Sequence, residues 1–258
     1  FFPILSCFPK VKIITNIDGI EWRRKKWKGF AKLFLKFSEY LAVKFSTYVV
    51  SDNDAITNYI AEEYKSSCKT ISYGGDHALK PKAKVEIDKN LNAIKPFALS
   101  ICRIEPENNV HLILQAFSDA KLPIIFIGNW NNSGYGKGLY SKYKNKINVT
   151  LLNPIYCLDS LHAYRANCSF YIHGHSAGGT NPSLVEMMHF SKPIVAYDCS
   201  FNKATMENKG NYFTSSDNLI RLLENINQLQ NGAILTEIAR RRYTWDIVRK
   251  QYLELFEM

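Results

Sequence analysis

Apolar and polar positions along the chain alternate between two kinds of stretch. Short, densely apolar runs of strand character are separated by longer segments in which apolar residues recur every three or four positions, the period of a half-buried helix. The strand-like runs are VKIITNI (11–17), TYVVSD (47–52), CKTISYGGD (68–76), PFALSICRI (96–104), LPIIFIGNW (122–130), INVTLLNPI (147–155), CSFYIHG (168–174) and KPIVAYDC (192–199). The helix-like ones are 27–46, 53–65, 108–120, 157–167, 182–191, 215–229 and the charged tail 235–258. NNSGYGKG (131–138) reads as a mobile loop, and the lysine-rich, aperiodic stretch 80–95 reads as a linker. Strands alternating with helices imply parallel sheets built from crossovers. Two such series around a polar linker predict an α/β chain of two Rossmann-like domains, with ligands at the carboxyl ends of the strands.

In the helix-like stretch 27–46, Phe30, Leu33, Phe34, Phe37, Leu41 and Phe45 share one face. A basic run, Arg23, Arg24, Lys25, Lys26, Lys28, Lys32 and Lys36, leads into it and continues along it. Such a face either packs into the core or lies on an anionic membrane surface, and the pattern leaves both open.

Composition narrows the classes. The 258 residues suffice for two domains, and 46% hydrophobic content fits a globular protein. No apolar run approaches the roughly 18–20 residues that span a bilayer. The opening FFPILSCFP holds two prolines and no basic leader, so it does not read as a signal peptide. The chain starts at Phe1 and its first strand looks like a mid-sheet one, which predicts a missing upstream part. Six dispersed cysteines without a CxxC pair point to reduced thiols in a cytosol. A net charge of +10 calls for an anionic partner: nucleic acid, anionic lipid or a phosphorylated small molecule. No helix-turn-helix, zinc-finger or RNA-binding signature supports the first.

Candidate chemistry gathers at three strand ends. Arg103, in CRIEPENNV, offers a planar, permanent charge suited to a phosphate pair, or else pairs with Glu105 or Glu107. In HGHSAGGTNPSLVE (173–186), adjacent glycines allow close backbone approach, while Thr180, Asn181 and Ser183 are capping types and Pro182 suits a first helical position. The segment is therefore either a phosphate-holding loop or an ordinary capped helix. His173 and His175 provide two possible metal ligands on one side of a strand, with no third at a sensible spacing. In NIDGIEWRRKKW (16–27), Asp18 and Glu21 beside Trp22 and Trp27 suit a polyhydroxylated acceptor.

In this order, NIDGIEWRRKKW, SYGGD, CRIEPENNVH and HGHSAGGTNPSLVEMM resemble segments of family 4 glycosyltransferases. Within that family the chain resembles the branch containing bacterial rhamnosyltransferase-like enzymes of capsule and surface polysaccharide synthesis. The resemblance implies the two-domain GT-B fold and metal-independent transfer with retention, needing no cofactor. The donor would be a nucleotide sugar, with a lean to dTDP-rhamnose, and the acceptor a lipid-linked or polysaccharide one. With the reduced cysteines, the basic helical face and the lack of a nucleic-acid-binding signature, the expectation is a cytoplasmic enzyme, either free or peripheral at the inner face of the plasma membrane, and no nucleic acid. Arg103 matches the family's diphosphate-binding arginine, and Asn108 stands where a lysine is usual. Glu186 matches the second glutamate of a pair spaced by seven residues, which binds ribose hydroxyls; the first falls at Gly178. The amides of Gly178, Gly179, Thr180 and Asn181 would then hold phosphate or sugar oxygens, with His173, His175 and Ser183 lining the donor pocket. Ile155 and Tyr156, after Pro154, fall where relatives contact the base. The family's His-Asp pair reads Ile17-Asp18 here. Thus Arg103, Glu186 and Asp18 are the catalytic candidates, and Asp18, Gly19, Glu21 and Trp22 form the acceptor side. Residues 1–94 correspond to the later half of a first domain plus linker, 95–238 to the donor domain, and 239–258 to a helix crossing back. The family's early glycine-rich loop has no counterpart, so the chain is expected to be a truncated product or part of a longer one. The rival reading is a catalytically incomplete module binding nucleotides or a membrane surface.

Overall fold

The computed structural model describes residues 2–5, 8, 10–24, 26–83 and 96–257. Cys7, Lys25 and most of the proposed linker (84–95) lie outside them. The first sheet is parallel, in the order β1 (Ile14–Ile17), β2 (Tyr48–Ser51), β3 (Lys69–Thr70). After the opening turn α1 (Phe2–Leu5), its crossovers run through α2 (Gly29–Phe45) and α3 (Asp54–Tyr64). Asn53 caps α3 by accepting the Ala55 amide at 2.9 Å.

The second sheet holds β4 (Ala98–Ile101), β5 (Ile124–Ile127), β6 (Val149–Leu152), β7 (Phe170–His173), β8 (Ile194–Tyr197) and β9 (Asn211–Phe213). Its order is β6-β5-β4-β7-β8-β9, all parallel. The helices are α4 (Val110–Ala120), α5 (Gly134–Tyr143), α6 (Leu158–Asn167), α7 (Pro182–Met188), α8 (Ser200–Thr205) and α9 (Ser216–Glu224). Side chains alternate across the sheet: Leu99, Ile125, Tyr171 and Ile194 enter one core, and Ala98, Phe126, Ile172 and Val195 the other. Covering both faces explains the near-continuous apolar runs IIFI and IVAY. From β4 the chain steps outward to β6, then returns to place β7 on the other side of β4. The β4 and β7 carboxyl ends therefore flank the point where strand order reverses, the usual position of a ligand crevice.

The tail is two helices, α10 (Gly232–Arg242) and α11 (Trp245–Glu257). Leu235, Ile238 and Ala239 of α10 pack in the second domain, whereas Val248 and Leu255 of α11 pack against Val50 and Ile71 of the first.

Two sequence expectations change, and one open alternative is resolved. NNSGYGKG is the start of α5, because Ser133 caps it by accepting the Gly136 amide at 3.1 Å. The run 68–76 pairs as a strand only at Lys69–Thr70, since β3 is an edge and its continuation turns to meet α10 through Gly75 N–H and Tyr243 O at 2.8 Å. Finally, α2 does not bury its aromatic face: Phe30 (81% exposed), Leu33, Phe34, Phe37 and Tyr40 remain exposed, and the buried residues are Ala42 and Val43.

Candidate active site

The loops after β4 and β7 are tied together by side chains. Asn108 is buried; its Nδ2 donates to the Arg103 carbonyl, and its Oδ1 lies against His175 Nδ1, both at 2.7 Å. Asn109 Nδ2 donates to the Gly174 carbonyl at 2.9 Å, and the Ser176 amide and hydroxyl both donate to the Glu107 carbonyl. The arrangement holds the Arg103 turn while its guanidinium, 67% exposed, projects into the cleft near Glu105 at 3.8 Å. His173 and His175 are buried beneath this turn. Burial pushes His175 down to about 4, and burial with His175 alongside holds His173 well below the usual imidazole range. Both rings are neutral at pH 7 and sit behind the cleft wall without adding positive charge.

The glycine pair faces the first domain. Gly178 has φ +106°, a conformation glycine adopts without steric penalty. Gly179 N–H donates to the Asp18 carbonyl at 3.1 Å, and Thr180 N–H donates to Asp52 Oδ2 at 3.1 Å. A Cβ on Gly179 would lie 1.9 Å from Asp52 Oδ1, and one on Gly19 would lie 3.3 Å from the Gly178 Cα. Two of the amides proposed for phosphate are thus occupied by the first domain. Asn181 caps α7, taking the Ser183 amide at 3.0 Å and its hydroxyl at 2.7 Å.

Glu186 is held from two sides. The buried Arg165 of α6 donates through Nη2 to Oε2, and His77 Nε2 lies 3.1 Å from Oε1. The Trp245 indole donates to His77 Nδ1 at 3.0 Å, leaving Nε2 as the ring atom that carries the proton toward Glu186. A carboxylate oxygen has more than one acceptor direction, so both can still take a ligand hydroxyl.

Across from Arg103 lie Arg23, Arg24 and Lys26. Together with Glu105, Glu107 and Ser176 they line a cleft of 760 Å³ between the domains. Arg24 bridges it, donating to Glu107 of the second domain and to Glu21 Oε2 at 2.9 Å. Glu21 also takes Lys26 and the Trp27 indole at 2.8 Å each, and these donors hold its carboxyl down at about 2 despite partial burial. Trp22 is directed away, its indole donating to Tyr59 at 3.1 Å and to Glu39 at 3.3 Å. Ile155 packs on the core that holds Leu99 and Tyr171, and Tyr156 is almost fully exposed. The geometry therefore brings Asp18, Gly19 and Gly178–Thr180 to one seam, with Arg103 on the wall of the cleft that Ser176 and Ala177 also line. Trp22, Ile155 and Tyr156 are set apart from it.

Sequence reasoning missed Asp52, His77, Arg165 and the Arg24–Glu107 bridge. Asp52 ends a strand-like run in TYVVSD just as Asp18 does in VKIITNID, so the same strand-end rule, applied there, would have found it. Arg165 carried a weaker signal, a cation placed among the inward positions of α6. The bridge carried none. Among the described residues, no three His, Cys, Asp or Glu side chains form a group able to hold a metal.

Residues 82–243 match the family "Glycosyl transferases group 1", and residues 10–76 match a domain of unknown function (DUF1972). None of the curated proteins matches the sequence. Among solved structures, the chain is similar to HepE of Anabaena in complex with UDP, at TM-score 0.79 and 17% identity, over 98% of this chain and 74% of that one. Sucrose-phosphate synthase of Thermosynechococcus elongatus follows at 0.74 and 14%, over 95% and 67%. The pneumococcal O-GlcNAc transferase GtfA in complex with UDP and GlcNAc aligns at 0.71 and 12%, over 99% and 54%. All share the arrangement of two Rossmann-like domains. With its family model covering most of its length, the chain belongs to the glycosyl transferases group 1 family and is a glycosyltransferase of the GT-B fold.

Proposed function

We propose that this enzyme transfers a sugar, with retention, from a nucleotide-sugar donor bound in the interdomain cleft to a lipid-linked or polysaccharide acceptor. The observation that carries this reading is the cleft itself, with Arg103 on its second-domain wall and Arg23, Arg24 and Lys26 on the other. A diphosphate leaving the sugar gathers negative charge, and fixed guanidinium groups stabilise it where it develops. Glu186, already oriented by Arg165 and His77, would accept ribose hydroxyls, and Ile155 and Tyr156 would border the base. Asn108, His173, His175, Gly178, Gly179, Thr180, Asn181 and Ser183 would shape the pocket behind the diphosphate. The acceptor would enter from the side of Asp18, Gly19, Glu21 and Trp22. A front-face retaining mechanism lets the leaving phosphate take the acceptor proton, so Asp18 would orient the acceptor hydroxyl. Closure of the two domains would keep water from the sugar.

The donor we favour is dTDP-rhamnose, in the synthesis of capsule or another surface polysaccharide. UDP accompanies the HepE and GtfA structures, which makes it the direct competitor. Thermal shifts with dTDP, UDP, GDP and ADP, followed by transfer from the corresponding sugars, decide between them. A response to dTDP that is lost in Arg103→Ala and Glu186→Gln is expected. A response to UDP alone overturns the rhamnosyl reading, and silence to all four overturns donor binding.

The exposed face of α2 supports a membrane contact. Phe30 stacks near Phe34 and Phe37 near Tyr40, while Lys32 and Lys36 leave the helix on another side, their ammonium groups over the Trp22 ring at 5.6 and 4.7 Å. No helix of the described residues is long and apolar enough to cross a membrane. An exposed aromatic helix face on a chain of net charge +10 suits the headgroup layer of an anionic bilayer. Sedimentation with phosphatidylglycerol vesicles should carry the protein down, and Phe34→Ser with Phe37→Ser should release it. Equal binding by the variant would refute the contact.

A further inference from the structure

The seam between the domains contains a carboxyl group that the transfer reaction described above does not use. Asp52 directly follows β2 and is 1% exposed. Its Oδ2 accepts the Thr180 amide, and its backbone carbonyl accepts the Thr180 hydroxyl at 2.6 Å and the Ser72 hydroxyl. The next residue, Asn53, donates from Nδ2 to the Thr180 hydroxyl oxygen at 3.0 Å. Asp52 Oδ1 has no hydrogen-bond partner and looks onto Gly179, with no room for even a methyl between them. The titratable groups facing it are Asp18 from the end of β1, Tyr73 from the segment after β3 and Tyr252 from α11. An ionised Asp52 would leave a charged oxygen without a donor in a closed seam, next to a second carboxylate. A neutral carboxyl ends the repulsion and makes the unpartnered oxygen much cheaper to bury.

We propose that Asp52 is the positioning residue that docks the Gly178–Thr180 loop on the first domain, and that it does so in its protonated form, so that docking takes up one proton. Burial first, and the Asp18 charge next, push its carboxyl up to about 8. In an opened seam water returns and the group reverts toward its ordinary 3.8. The docked state thus holds a proton that the open state releases at pH between those values. Docking is strongest at the acid end, weakens as pH rises through the window, and levels off above about 8. The inference concerns the seam alone and holds whichever donor the cleft takes.

Hydrogen exchange at the Gly179 and Thr180 amides of the whole chain, corrected for intrinsic pH dependence, tests it. Protection in the wild type should fall about tenfold or more between pH 6 and pH 9. Asp52→Asn, which keeps the neutral shape at every pH, should retain the pH 6 protection throughout. Asp52→Ala should lose it at both pH values while the Ile125 amide in β5 stays protected. Wild-type protection that is flat with pH, or that falls equally in Asp52→Asn, overturns the proposal. So does weaker protection in Asp52→Asn than in the wild type at pH 6. If Asp52→Ala fails to fold, the comparison of wild type with Asp52→Asn decides alone.

Discussion

Replacing Arg165 with methionine tests whether Glu186 is held ready by its partner. Arg165 is 2% exposed, its Nη2 meets Glu186 Oε2, and its Nε has no partner. Methionine keeps the unbranched stem that packs within α6, so the principal loss is the charge. Glu186 would then retain only His77, at 3.1 Å. Removing one partner of a buried ion pair costs about 3–5 kcal/mol. The Glu186 side chain keeps 15% exposure, so water compensates in part and about 3 kcal/mol is expected. At about 2–4 °C per kcal/mol for a chain of this size, the unfolding midpoint should drop by roughly 6–12 °C. Glu186→Gln strands the opposite charge and should cost a similar amount. The double variant leaves no unpaired charge, so it should be more stable than the sum of the singles predicts, by about 2 kcal/mol. Urea unfolding of all four proteins gives this coupling directly. Additivity within about 0.5 kcal/mol would refute the reasoning, because it would mean that Arg165 does not fix the carboxylate.

Gly179→Ala places a methyl 1.9 Å from Asp52 Oδ1, so the loop must lift and its Thr180 amide bond must lengthen. Overpacking of this kind costs about 1–3 kcal/mol, and calorimetry should find a loss in that range; an unchanged midpoint would argue against the docked loop. His175 is neutral in the folded chain at about 4 against an ordinary 6.5. The unfolded chain therefore binds the extra proton between those values, and stability should fall as pH drops from 6.5 toward 4, by about 3 kcal/mol from this group. His175→Gln should flatten that limb in acid unfolding curves. Cys157 is exposed, and hydrogen bonding, chiefly from Ser160, holds its thiol below the usual range, whereas burial pushes Cys102 and Cys168 up to about 12. Iodoacetamide mapping should find Cys157 alkylated well before those two.

The second domain was legible because its signals agree at every level. Its inner strands β4, β5, β7 and β8 are apolar on both faces, and helices such as α4 and α9 carry one apolar stripe, so period and length fix the type of element. Elements were lost where burial is slight or borrowed. The stretch 200–213 gave no pattern, since α8 is six residues long and β9 three. What holds α8 is Asn202, whose amide donates to the His175 and Tyr197 carbonyls, contacts a sequence does not announce. The same limit hid His77 and Arg165. Each acts through a partner more than 20 positions away, so neither stands out against its own neighbours.

Charge shows the difference between reading residues and reading pairs. A net +10 suggested a strongly positive site, and the cleft does gather four cations. Most of that charge is committed. Arg24 spans to Glu107 and Glu21, and Lys26 also lies on Glu21. The Arg23 guanidinium stacks over Trp22 and Tyr59, at 5.1 and 4.8 Å from the ring centroids. His173 and His175 are neutral, and Arg165 is bound to Glu186. Arg103 is the exception: it is two-thirds exposed, and its ion pair is a long 3.8 Å contact with Glu105. Such a pair is worth little in water, so a diphosphate can recruit this guanidinium at small cost. Recruiting Arg24 would require breaking a partly buried bridge between the domains. Loss of Arg103 should therefore weaken nucleotide binding more than loss of Arg24, while loss of Arg24 should chiefly loosen the fit of one domain on the other.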